Sequence, residues 1–549
     1  MSEFSTTRAL SRIPPDDVTV EQFILRDEHP SRPVRPQSAP WLVADDTGVE
    51  ISLQEIQERT TNLANGLHSQ FGIGEDDIVL IFSGNHIDYP ICMWAVHRLC
   101  AIISFELTNQ LRQTHATLVI AHYQVLDVAR ASVREAGIFQ RILILGDGEG
   151  VHYGHITVGN LMTRSLVTSL TIGRKLEPGE SRRKIAFLCA SSGTTGKPKI
   201  VAISHFAVLA QVLQLATHNR VNEEYASWEE QRYRPGDACL AILPFYHIYG
   251  LVVSYALHTQ MTIVVVPKFT LVGMLESIRR HKINQLMLVP PQVVLLCKEP
   301  IVRTYDLSCV RVILCAAAPL SVELNEQLIN LFPNAHIGQA YGSTECTGGV
   351  SMWSIRSKRG FNGGELLPGV VARVVKPDGT LCGYNVPGEL HIKSPAAALG
   401  YFGDEDATKA TFVDGWVRTG DQVMIDENFE VVYVRGFQVA PAELEGCILG
   451  HSMVADVCVV GMPDSFSGEV PLAFVIPTKD VSSTFQTDPH AISQVKASIM
   501  EYVAKLKSPY KHLHRVELVE EIPKNPSGKL LRRILRERAK QLVSHPAKL

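Results

Sequence analysis

The chemistry-bearing stretch of the chain is "SSGTTGKPK", from Ser191 to Lys199, directly after the apolar run "KIAFLCA". Glycines let backbone N–H groups approach an anion, hydroxyls donate to it and lysine supplies charge. A Walker loop needs four residues between its glycines and then Gly-Lys-Ser/Thr. Here only Thr194 and Thr195 separate Gly193 from Gly196, and Pro198 follows Lys197. The string is a phosphate cradle of another kind. Two further groups stand out by type. His247 lies in an apolar run where a core histidine is the ordinary outcome, and Lys529 lies in "PSGK", where a solvated lysine is ordinary.

The elements that position these residues read as α/β. From about residue 50 to 345, short apolar runs ("DDIVLIFSG", "HATLVIAH", "QRILILGD", "DACLAILPF", "MTIVVVP", "INQLMLVPP", "VRVILCAAAP") alternate with helical stretches such as "YPICMWAVHRLCA". That alternation predicts mostly parallel sheets covered by helices. From Gly369 the texture becomes Gly/Pro-punctuated strands, "GVVARVVKPDGT" and "GELHIKSP", which predict a β-rich subdomain. A compact α+β tail follows. The reading is a large N-terminal domain, 1–434, with its β-rich part at about 369–434, and a smaller C-terminal domain, 435–549.

The 549 residues are too many for one core. A net charge of −4 with 20% charged residues gives no reason to expect nucleic acid as partner. Eleven cysteines without a C-x-x-C pair read as free thiols in a reducing compartment. "MSEFSTTRALSRIPPDD" lacks the apolar core of a secretory signal. The run "CLAILPFYHIYGLVVSYAL" is interrupted by Pro244, His247 and Gly250, so it predicts buried core rather than a membrane span. The end, Ala547-Lys548-Leu549, is a conservative relative of the S-K-L peroxisomal address and would engage an import receptor.

The Ser191–Lys199 string resembles the signature loop of the adenylate-forming superfamily. "LPFYHIYGL" (Leu243–Leu251), "QAYGSTE" (Gln339–Glu345), "GWVRTGD" (Gly415–Asp421), "GFQVAPAELE" (Gly436–Glu445) and "PKNPSGKLLRR" (Pro523–Arg533) resemble its later motifs, in order. The chain looks most like 4-coumarate–CoA-ligase-type enzymes of filamentous fungi, including peroxisomal acyl-CoA ligases of secondary metabolism. The resemblance implies ATP, Mg2+ and coenzyme A. A carboxylic acid attacks the α-phosphate to give acyl-AMP and pyrophosphate, and the CoA thiol then displaces AMP.

The same resemblance implies roles. Ser191, Ser192, Gly193, Thr194, Thr195 and Lys199 hold the β/γ-phosphates. Glu345 binds the magnesium, and Thr344 contacts the α-phosphate. Tyr341 stacks on adenine, which Ala317 lines within Ala316–Pro319. Asp421 accepts from the ribose hydroxyls, as suits an acceptor-only carboxylate. His247 gates the carboxylate and the thiol, and Lys529 bridges carboxylate and α-phosphate. Arg435 and Gly436 contact CoA, and Gln438 contacts AMP. Tyr249, Val253, Gln339, Ala340 and "VPPQVV" form a largely apolar pocket, favouring an aryl or medium-chain acid.

Two places depart from the family pattern. After "AIIS" (Ala101–Ser104) the usual "NP-x-Y-T" turn is shortened by roughly eight residues. "NFEVVYVRGFQVAP" lacks the charged "D-R-x-K-E" segment, and with it a ribose-contacting arginine and the hinge of the small domain. About eight extended residues span roughly 25 Å, more than local adjustment absorbs. The readings left open are an altered hinge, a decayed gene copy, or short exon ends lost from the translation. As functions, the ligase stands beside a catalytically impaired paralogue that retains nucleotide or acyl-AMP, a carrier-loading adenylation module and a luciferase-like oxygenase.

Overall fold

In the computed structural model, the described residues are 3–544 except 7, 11, 26–28, 31, 35–38, 106–109, 138–140, 147–153, 165–172, 192–198, 317–319, 321, 361, 434–440, 465–467, 485–488, 508–511 and 525–529. The chain divides into two compact units. The first comprises Met1–Met287, Tyr305–Leu314 and Asn334–Val432; the second comprises Leu288–Thr304, Cys315–Pro333 and Tyr433–Leu549.

Three sheets build the first unit. A seven-stranded sheet runs Gly400–Tyr401, Lys199–Ser204, Ile185–Ser191, Ile102–Phe105, Ile78–Phe82, Leu118–His122, Ile142–Leu145. Its central pairs are parallel, while Ile185–Ser191 and Lys199–Ser204 form an antiparallel hairpin whose last paired residues are Ser191 and Lys199. The central strands are buried on both faces, which is why they read as continuous apolar runs. Helix Tyr89–Arg98 is buried throughout, so its sequence carries no polar face.

A nine-stranded sheet runs Glu365–Leu366, Gly348–Met352, His336–Ser343, Val312–Cys315, Gln285–Leu288, Ala238–Ala241, Thr262–Val265, Leu42–Ala44, Glu50–Ile51. The third sheet is antiparallel and built mainly from Val371–Val375, Gly388–Lys393 and Trp416–Ile425, the β-rich part read from Gly/Pro spacing. Helix His205–His218 starts at Ser204, whose hydroxyl accepts from Ala207 N–H at 3.1 Å. Such a cap is worth about 1 kcal/mol. The apolar run from Cys239 to Leu257 resolves into strand Ala238–Ala241, a turn, and helix Gly250–His258. No helix among the described residues is long and apolar enough to cross a membrane.

The second unit contains a three-stranded sheet, Val454–Asp464, Gly468–Pro477 and Arg515–Leu518, with helices Pro441–Leu449, Pro489–Leu506 and Arg532–Ser544. Its core joins Leu444, Ile448, Val457, Val475, Ile499 and Val516. The architecture is the α/β large part, β-rich portion and smaller α+β part expected from the sequence. No disulfide joins any two of the eleven cysteines, all of which are described and nine of which are buried.

Candidate active site

The candidate site gathers where strand His336–Ser343 runs into the short 3-10 turn Thr344–Cys346. This strand pairs antiparallel with Gly348–Met352, with a register shift between Tyr341 and Gly342. The hairpin is tight because residue 342 is glycine: a Cβ there would lie 1.8 Å from the Gly348 carbonyl oxygen. Thr347 closes the turn in the left-handed region at φ 58°, and Gly348 follows at φ 122°.

Glu345, delivered by that turn, is fixed from two strands of the seven-stranded sheet. The Ser191 hydroxyl donates to its Oε1 at 2.7 Å and the Tyr401 hydroxyl to the same oxygen at 3.0 Å. Its backbone carbonyl accepts from Ala398 N–H at 2.9 Å. Lys199 Nζ lies 4.7 Å from the Tyr401 ring centroid, a cation–π contact. Desolvation first, then the Glu345 charge, pushes the Tyr401 phenol up, so it stays a donor. Ser191, Lys199 and Glu345, far apart in sequence, are thus brought together. Ser192, Gly193, Thr194 and Thr195 lie outside the described residues.

Tyr341 donates its phenolic hydroxyl to Asp421 Oδ2 at 2.6 Å. Burial, followed by the Asp421 charge, raises the phenol well above its ordinary range. Asp421 sits in a bulge. His391 pairs with Arg418 and Glu389 with Gln422, so Thr419, Gly420 and Asp421 stand opposite Leu390 alone, two residues more than the partner strand supplies. Thr419 pins the bulge by donating to the Leu390 carbonyl at 2.8 Å and accepting from Asp421 N–H at 3.1 Å. The exposed carboxylate is therefore aimed by the phenol. Gln339 is buried and Ala340 half-buried on the same strand, and Thr344 is buried beside Glu345. Ala317 lies outside the described residues.

His247 occupies the turn between strand Ala238–Ala241 and helix Gly250–His258, half-buried, with its carbonyl accepting from Gly250 N–H at 2.7 Å. Asn85 holds this turn from the loop that follows strand Ile78–Phe82 of the seven-stranded sheet. Its amide donates to the Ala241 and Leu243 carbonyls at 3.2 and 3.0 Å, and its oxygen accepts from Phe245 N–H at 2.9 Å. Tyr249 is half-buried and desolvation raises its phenol, while Val253 is buried. Sequence reasoning missed Asn85 and Tyr401. Neither sits in a motif used above, and only the fold shows what each touches.

In the second unit, Lys524 and Leu530 form an antiparallel bridge, and Leu531 N–H donates to the Pro523 carbonyl at 2.9 Å. Arg532 reaches buried Glu445 at 2.6 Å. Lys529, Arg435, Gly436, Gln438 and the tail Ala547–Leu549 lie outside the described residues, as does the join at 434–440 where the hinge motif is missing.

Among the described residues no group of three His, Cys, Asp or Glu side chains could cage a metal. A single carboxylate backed by hydroxyls suits Mg2+, which keeps waters and shares its shell with substrate phosphates. Glu345 fits that role.

A carboxylate held by two hydroxyls thus stands at the end of the strand whose Tyr341 meets Asp421, with one of those hydroxyls on Ser191, the first residue of the glycine-hydroxyl string. The comparisons give the family. The AMP-binding enzyme model matches residues 31–402 and the AMP-binding enzyme C-terminal domain matches 443–529. The chain belongs to this adenylate-forming family, in a branch populated by acid–thiol ligases. It is 31% identical to 4-coumarate–CoA ligase 2 of Oryza sativa subsp. japonica, over 96% of each chain. It is 33% identical to peroxisomal OPC-8:0-CoA ligase 1 of Arabidopsis thaliana, over 97% of this chain and 96% of that one. Identity is also 33% to acyl-CoA ligase AFT1-1 of Alternaria alternata, over 95% and 94%. Among solved structures, an anthranilate CoA ligase, AuaEII, in complex with anthranoyl-AMP superposes with a TM-score of 0.78 at 20% identity, covering 97% of this chain and 99% of that one.

Proposed function

We propose that the protein is an ATP-dependent acyl-CoA ligase acting on an aryl or medium-chain carboxylic acid. The observation that carries this reading is the convergence of the Ser191 and Tyr401 hydroxyls on Glu345, with the Lys199 ammonium over the Tyr401 ring, at the end of the strand that presents Tyr341 to Asp421. The acid's carboxylate attacks the α-phosphorus, the bond to the β-phosphate bridging oxygen breaks, and pyrophosphate leaves. The CoA sulfur then attacks the acyl carbon, and AMP leaves with the electron pair.

The protein's share of the first step is positioning and charge neutralisation. Ser191 and Lys199, with the residues between them, hold the outer phosphates. Mg2+ held by Glu345 would neutralise phosphate charge there. Thr344 donates at the α-phosphate, and Lys529 places its ammonium between carboxylate and phosphorus. Tyr341 and Ala317 hold the base, Gln438 contacts AMP, and Asp421 receives the ribose hydroxyls. His247 screens the carboxylate and then the thiol path, with Arg435 and Gly436 on CoA. Tyr249, Val253, Gln339 and Ala340 line the acid. Residues 1–434 carry adenylation and 435–549 supply the moving domain.

The Alternaria relative supports a place in fungal secondary metabolism. The name of the Arabidopsis relative supports peroxisomal delivery. The direct test is pyrophosphate release with a panel of aryl and medium-chain acids, followed by thioester formation on adding CoA. Lys529→Ala is expected to slow adenylation by on the order of 10²–10³. Wild-type protein that releases no pyrophosphate with any acid would defeat the proposal.

A further inference from the structure

Helix His205–His218 packs along strand Gly348–Met352, which begins two residues after the Thr344–Cys346 turn. Of its other polar side chains, His205 and Gln214 each leave one buried atom, Nε2 and Oε1, without a partner among the described residues, but each bonds through its other atom. Gln214 donates to the Pro368 carbonyl and the Ser394 hydroxyl, and His218 contacts the Trp353 carbonyl at 3.0 Å. Gln211 differs. It is 5% exposed, yet neither its amide oxygen nor its amide nitrogen finds a hydrogen-bond partner among the described residues. It faces the two glycines that open the strand. A Cβ on Gly348 would lie 3.7 Å from Gln211 Oε1, and one on Gly349 would lie 3.5 Å from Gln211 Nε2. The hydroxyl of adjacent Thr347 is likewise buried and unpartnered among the described residues.

A buried amide left unsatisfied forfeits its bonds to water with nothing in return, so such a group calls for an explanation. The same helix packs on Gly250–His258, which carries Val253 of the acid pocket, and Gly348 pairs with Ser343 next to Thr344. The glycine pair sets no side chain against the amide. Resting on the ligase reading, we infer that Gln211 is a specificity-determining residue that hydrogen-bonds a neutral oxygen on the acyl part of the acid. The substrate class is then a hydroxy or oxo carboxylic acid rather than a plain hydrocarbon one. An uncharged amide both donates and accepts, which matches a hydroxyl or a ketone and gives no reason to select a second carboxylate. A site built to bond an oxygen discriminates against the analogue lacking it, because its own polar atoms stay unpaired.

The experiment is pyrophosphate release with matched acid pairs, medium-chain and aryl, each differing by one hydroxyl or oxo group, in wild type, Gln211→Met and Gln211→Asn. Wild type is expected to favour the oxygenated member by about tenfold or more in kcat/KM for at least one pair. Gln211→Met should bring that ratio close to one while holding kcat/KM for the plain acid within about threefold. Gln211→Asn, a smaller change that keeps the amide, should give a reduced ratio and serves if the methionine variant fails to fold. Release without discrimination in any pair, or a ratio unchanged in the variants, overturns the inference and leaves the ligase intact. No release from wild type with any acid overturns the ligase reading first.

Discussion

Glu345 concentrates the argument at the scale of single residues. Two hydroxyls from different strands point at one carboxylate oxygen, which fixes the side chain before any nucleotide arrives. Glu345→Gln keeps the shape and removes the charge. Adenylation is expected to fall on the order of 10²–10³, with circular dichroism and melting nearly unchanged. Tyr401→Phe removes one donor, worth about 1 kcal/mol, and should raise the KM for ATP several-fold while kcat moves less. If the KM for ATP is unchanged in Tyr401→Phe, that hydroxyl has no part in setting the carboxylate. Much of this site was legible in the sequence, because Ser191, Lys199, Tyr341, Glu345 and Asp421 lie in motifs whose order is distinctive. Tyr401 was not, since its role depends on an edge strand meeting a turn 56 residues away along the chain.

Two turns position the chemistry at the scale of elements, and each depends on one side chain or its absence. Gly342 lets the Tyr341 strand lie against Gly348. Gly342→Ala must push the hairpin apart, costing about 1–3 kcal/mol as overpacking does, and should weaken nucleotide binding as well as stability. Equilibrium unfolding and nucleotide titration of the variant check both. Asn85 ties the His247 turn to the loop after strand Ile78–Phe82 through three hydrogen bonds. Asn85→Ala strands these buried groups, at about 1–3 kcal/mol each before relaxation. The expected result is lower stability and a lower kcat for thioester formation, and a wild-type kcat would separate the turn from the His247 role. Alternating apolar runs revealed the strands and helices, since burial on both faces leaves a continuous hydrophobic signal. Bulges such as Thr419–Asp421 leave no such trace, because register is decided by the partner strand.

For the whole molecule, buried histidines tie stability to pH. Desolvation pushes His97 down to about 3, partly opposed by its bond to the Ala186 carbonyl, and His218 down to about 4. Both are neutral in the folded chain and take up protons more readily when unfolded. Their contribution is complete above the ordinary histidine value of 6.5 and is lost as pH falls through the window between 6.5 and these lowered values. Each such group weighs about 1.4 kcal/mol per pH unit inside that window. Urea unfolding of wild type and His97→Gln at pH 7 and pH 5 should show a shallower decline in the variant. Coincident pH slopes would mean that His97 is not held neutral.

The cysteines bear on how such an enzyme lives with a thiol reactant. Burial pushes Cys100 up to about 11 and Cys346, beside Glu345, up to about 12. The two partly exposed thiols are raised too, Cys297 to about 11 and Cys309 above its ordinary value. Mixed-disulfide exchange needs a thiolate that solvent can reach. Burial of nine thiols and the upward push on the other two both work against capping by an oxidised thiol pool.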